Sequence, residues 1–340
     1  MTLKDKEKVL RLKRVFELNG RLTVLFAAYL ENFPKIITEE MIKGLCEGTD
    51  FTYEEAFSAI LCEVLGLDGD ESADDRRLIR EYLPRAVKRL DAEKYKSNPY
   101  YKTVKIENIT DGDWELRKEC YPAFRGVICH DMIIDDDFTE VPPLGFFTED
   151  FEFPAVLEGG NEWMTLTPVD IDTCDLAIES AHGKVVTFGL GLGYYAFMAA
   201  MKPEVSSVTV VERSERVISL FERYIRPQIP CADKIRIVCK DAFEYAEFDM
   251  PRERFDYAFV DIWRDASDGT PIYEKMKSLE SLSRGTKFDY WIENFLISRR
   301  RALRFGEILD DLDVGRLDKD KGYAEIEAEL LSLGTPIKYR

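Results

Sequence analysis

Glycine recurs at every second position in "VVTFGLGLGYY", Val185 to Tyr195, directly after an apolar run that reads as a buried strand. Gly189, Gly191 and Gly193 each cost backbone entropy, so the local geometry must need them. Either the chain turns where only glycine fits, or something large presses against the backbone. Three carboxylates follow at the ends of later apolar runs: Glu212 after "SSVTVV", Asp241 after "KIRIVCK" and Asp261 after "RFDYAFV". The two oxygens of a carboxylate such as Glu212 can accept both hydroxyl donors of a ribose, and the charge strengthens each bond. Asp241 can accept from an exocyclic adenine amine, with the Ala242 backbone N–H in reach of a ring nitrogen. Asp261 is the candidate proton acceptor.

Positioning these groups together requires regular alternation of strands and helices. "KVVTFG" is the first strand and "YYAFMAAMK" begins the first helix, with the strands ending at Glu212, Asp241 and Asp261 after it. Such alternation predicts an α/β fold with a Rossmann-like, doubly wound, mostly parallel sheet. In open sheets of this kind the ligand crevice lies outside the carboxyl ends of the strands, where all these residues fall. "TKFDYWIEN" is a candidate fifth strand. No convincing sixth or seventh strand follows, and "TPIKYR" is a poor candidate.

The rest of the chain divides by composition. Residues 1–98 read as a helical N-terminal domain. "RLTVLFAAYL" is apolar all round, as a core helix would be, and Thr52 and Glu55 stand at capping-box spacing. "DDRRLIREYLPRAVKRL" continues the helical pattern, with Pro84 set to kink or break it. Residues 99–160 read as a β-rich connector with Pro and Gly turns. Residues 161–340 make the ligand-binding domain.

The segment Lys184 to Trp263 resembles the core of the class I S-adenosylmethionine-dependent methyltransferase superfamily. "VVTFGLGLG" is similar to its glycine-rich first motif, "VTVVE" to its acidic second-strand motif, "CKDAFEY" to its adenine-side motif and "FDYAFVDIW" to its fourth strand. Motif order and the place of Asp261 look closest to the spermidine-synthase-like branch. The resemblance covers roughly a quarter to a third of the chain. It implies S-adenosyl-L-methionine as cofactor, held by Gly189, Gly191, Gly193, Glu212, Asp241 and Ala242. It also implies transfer of the methyl group to a small-molecule acceptor, with Asp261 catalytic. The chain departs from the family at Thr187, where an acidic residue is common. It departs from aminopropyltransferases at Tyr194 in the glycine loop and in "DIWRD", which replaces a D-x-x-D step.

Other chemistries lack their motifs. The sequence has no H-E-x-x-H, no C-x-x-C, no G-x-S-x-G and no G-x-x-x-x-G-K-[ST]. Asp261, Asp265 and Asp268 invite a hard-cation reading, but their spacing matches no known loop. Gly191, Gly193 and Ala196 also fit the dinucleotide fingerprint G-x-G-x-x-A, which keeps a nicotinamide-dependent oxidoreductase open. So does a binding protein that kept the fold without chemistry. With a net charge of -18 over 340 residues, the chain as a whole lacks the basic footprint of a nucleic-acid binder; Arg299, Arg300, Arg301 and Arg304 are the one basic run of note. Seven cysteines, none paired as C-x-x-C, and a charged N-terminus without an apolar signal core predict a cytoplasmic protein. The longest apolar stretch, Leu22 to Leu30, is too short to span a membrane.

Overall fold

The computed structural model describes residues 3–313 and 322–339. Its chain forms two compact units. One comprises Asp91–Tyr121 and Phe151–Ile292, the other Met1–Leu90, Pro122–Asp150 and Glu293–Arg340.

The first unit carries a five-stranded, all-parallel sheet. Its strands are β1 (Gly183–Phe188), β2 (Val205–Glu212), β3 (Ile235–Cys239), β4 (Tyr257–Val260) and β5 (Lys287–Tyr290), in the order β3-β2-β1-β4-β5. Every residue of β4 is buried, as are Val185, Val186, Thr187 and Phe188 of β1. Central strands covered on both faces need such unbroken apolar runs. The strand order reverses between β1 and β4, which puts a crevice at their carboxyl ends. Helices α1 (Pro168–Ser180), α2 (Tyr194–Ala200), α3 (Glu215–Leu220) and α4 (Ala266–Leu279) lie between the strands in sequence or, for α1, before them. The same unit holds a four-stranded antiparallel sheet, ordered Ile109–Asp111, Trp114–Tyr121, Phe151–Glu158, Asn161–Thr165.

The second unit packs Leu3–Asn32 and Tyr53–Leu65 around Leu22, Phe26, Phe57, Tyr82 and Phe146, with Phe57 and Phe146 stacked at 4.3 Å. Thr52 and Glu55 form the capping box their spacing predicts, the Thr52 amide donating to Glu55 Oε2 at 2.8 Å. Leu22 and Tyr29 are buried as expected, whereas Val24 is 67% exposed, so the N-terminal helix keeps one wet face.

Two expectations change. The division at 98/99 and 160/161 is not the one the contacts make, because strand pairing splits the connector. Trp114–Tyr121 pairs with Phe151–Glu158 in one unit, while Leu144–Phe147 pairs with Val87–Leu90 in the other. The long helix Glu293–Asp313 also belongs with the N-terminal helices. Second, "VKRL" after Pro84 is a strand rather than helix, since parallel pairing overrides the helical preference of Lys, Arg and Leu. Members of the arginine run are engaged within the fold. Arg301 is buried and donates to the carbonyls of Leu330 and Gly334, and Arg304 pairs with Glu307 and Glu329. Among the described residues, no helix is long and apolar enough to cross a membrane.

Candidate active site

The glycine loop joins β1 to α2, and both geometric needs posed by its sequence are met. Gly189, Gly191 and Gly193 have φ of 97°, 49° and 75°, in the region L side chains avoid. The Gly193 amide donates to the Leu190 carbonyl at 2.7 Å, which tightens the turn. The close approaches are also real, and protein makes them. A side chain at Gly189 would strike the Asp261 carbonyl, one at Gly193 the Phe221 ring, and one at Gly191 the Met164 thioether.

Glu212 ends β2 and braces this loop. It is half-buried, accepting from the Leu190 amide through Oε2 at 3.1 Å and from the Ser214 amide through Oε1 at 2.8 Å. Each carboxylate oxygen has two lone-pair sites, so each keeps capacity for a further donor. The Lys240 amide donates to the Glu212 carbonyl at 3.0 Å, which ties the end of β3 to the end of β2. One residue on, Asp241 caps the short helix opened by Ala242, accepting from Phe243 and Glu244 at 2.9 and 3.1 Å. Both bonds use Oδ1, so Oδ2 takes no part in the cap.

Asp261 leaves β4 with its amide bonded to the Phe188 carbonyl at 2.9 Å, beside the end of β1. Withdrawal from water pushes its carboxyl up to about 8, and the charge of Asp170 adds to the rise. Asp170 lies in the first turn of α1 and accepts from the amide and hydroxyl of Thr167 at 2.7 and 2.8 Å. Burial lifts its own carboxyl to about 6, against those hydrogen bonds. Two neighbouring acids with raised, unequal proton affinities can hold one negative charge and one proton between them at neutral pH. Sequence reasoning did not single out Asp170; its signal is "TPVD", a capping box with proline in the first helical turn.

Residues before the sheet also shape the site. The buried Tyr100 hydroxyl donates to the Leu192 carbonyl of the glycine loop at 2.6 Å, and the Asn98 side-chain Nδ2 donates to the Tyr194 hydroxyl at 3.1 Å. "KSNPYY", which ends the helical N-terminal pattern, clamps the loop. Tyr100→Phe is expected to lower stability by about 1–1.5 kcal/mol, since it strands a buried carbonyl while keeping the ring. A urea titration of the two proteins checks this. Tyr195 stacks on Phe259 at 4.3 Å and Tyr194 meets Tyr100 edge-on at 5.7 Å, so both are packing residues. Trp263 is buried, with its indole N–H lacking a partner among the described residues. Asp265 and Asp268 form the capping box of α4.

No protein-family model matches the chain, and no curated protein matches it. Solved structures do. Spermidine synthase from Thermotoga maritima is 13% identical with a TM-score of 0.31, over 51% of this chain and 62% of that one. A spermidine synthase in complex with the transition-state analogue AdoDATO is 14% identical with a TM-score of 0.33, over 46% and 60%. Precorrin 8W decarboxylase from Methanobacterium thermoautotrophicum is 16% identical with a TM-score of 0.29, over 42% and 73%. The chain thus spans less than two thirds of either spermidine synthase.

Proposed function

We propose that the unit with the parallel sheet binds S-adenosylmethionine and directs methyl transfer to a small acceptor, with Asp261 taking the acceptor's proton. The observation that carries this is Asp261 itself, an acid held near neutrality at the carboxyl end of β4, with its carbonyl packed on Gly189. A general base works best when its proton affinity lies near the working pH. Glu212 suits the ribose hydroxyls with its spare lone pairs, and Asp241 Oδ2 with the Ala242 amide suits the adenine edge. When bound, the donor supplies a methyl carbon made electrophilic by its sulfonium. The protein's work is then alignment and proton removal. Asp170 and Asp261 together favour a neutral or cationic acceptor over an anionic one.

That same pair of acids favours a second reading, aminopropyl transfer from a decarboxylated donor to an amine. Mass spectrometry of co-purified small molecules, followed by label transfer into a metabolite pool, tests both. S-adenosylhomocysteine as product supports methyl transfer and methylthioadenosine supports aminopropyl transfer. A nicotinamide dinucleotide in the purified protein refutes both, and tight donor binding without transfer to any pool component leaves a binding protein.

A further inference from the structure

The open face of Gly191 is filled from within the chain. The atoms nearest to where its side chain would begin are Sδ, Cε and Cγ of Met164. We propose that Met164 is an internal occlusion of the donor site, which must withdraw before S-adenosylmethionine can lie against the loop. This rests on the donor-binding role proposed above. The donor's amino-acid arm is a CH2–CH2–S chain bearing a methyl group, and the methionine side chain is the same chain in neutral form. A face of the loop that accepts one accepts the other.

Met164 stands on an edge strand and is half-buried. It sits in Asn161–Thr165, the last strand of the antiparallel sheet, bonded only to Phe151–Glu158 through a register that slips between Val156 and Leu157. A small apolar cavity beside it is lined by Leu116, Val156, Leu192, Val217, Leu220 and Phe221. An unbranched thioether adapts readily to such space.

The test is calorimetric titration of the full chain with S-adenosylmethionine, for wild type, Met164→Ala and Met164→Leu. Occlusion reduces apparent affinity by the fraction of molecules that are open, so Met164→Ala should bind about tenfold tighter. Leucine refills the space and should bind as wild type does. In methyl-labelled wild type, the Met164 resonance, identified by its loss in Met164→Leu, should move during titration. This second readout decides the matter even if the alanine variant folds poorly. Equal affinities for wild type and alanine, with the resonance unmoved at saturation, overturn the occlusion and leave the donor role standing. No binding by any of the three overturns the donor role and the occlusion with it.

Discussion

Asp261→Asn slows turnover by about 10²–10⁴-fold and leaves donor affinity unchanged, while making the folded protein more resistant to heat. The rate follows from chemistry: asparagine keeps the shape and one hydrogen-bond acceptor but cannot take a proton. The stability gain follows from linkage. In the unfolded chain an aspartate ionises near 3.9, whereas folding holds Asp261 protonated up to about 8. The folded state therefore binds the extra proton, and stability falls as pH rises from about 4 through about 8. Asparagine never ionises and escapes that loss. Its melting temperature should exceed wild type by several degrees at pH 8 and converge with it below pH 4. Wild-type kcat/KM should rise about tenfold per pH unit up to about 8 and then level, because only the ionised acid is a base. Scanning calorimetry and a pH–rate series measure both. A variant that is slower but no more stable at pH 8 would place Asp261 in water, ionised without cost.

The sheet was legible because its signals are local. Each strand from β1 to β4 is a short apolar run, and each of the first four ends on a glycine or a carboxylate at or just beyond its last residue. Such patterns need no knowledge of partners. The fifth strand, read from "TKFDYWIEN", pairs with β4 from Tyr257↔Lys287 to Val260↔Tyr290. What stayed hidden depends on distant neighbours. Met164 is one apolar residue in "NEWMTL" until the fold brings it onto Gly191. Tyr100 belongs to a segment that looks like punctuation until its hydroxyl meets the Leu192 carbonyl. Asp170 carries a capping pattern, yet its effect on Asp261 requires α1 to lie against the end of β4. The unit boundaries were hidden for the same reason. The connector's strands are close in sequence, and the unit each one joins is set by the distant partner it finds. The glycines were read as a demand for a turn or for close approach; all three take left-handed φ, and the groups that approach them are an aspartate carbonyl, a thioether and a phenyl ring. A sequence shows that space is needed and not what fills it.

Glu212→Ala weakens S-adenosylmethionine binding by about 1.5–3 kcal/mol, the range for hydrogen bonds to a charged group. The same substitution should cost stability, because it acts on the loop as well as on the ligand. The Leu190 amide sits beside a buried side chain and donates to Glu212 Oε2, and the Ser214 amide, at the cap of α3, donates to Oε1. Removing the carboxylate leaves both N–H groups to water or to nothing, at about 1–3 kcal/mol for each one that stays dry. Glu212→Gln separates the two roles. The amide has one acceptor oxygen, so it can serve Leu190 or Ser214, but its NH2 must then face the other donor. It also lacks the charge that strengthens bonds to ribose hydroxyls. Glutamine should therefore recover part of the stability and little of the affinity. Denaturant titration gives the first quantity, and calorimetry on the folded protein gives the second. If affinity tracks stability across wild type, glutamine and alanine, Glu212 acts only as a brace for the loop. If affinity stays low in glutamine while stability returns, the carboxylate meets the ligand directly.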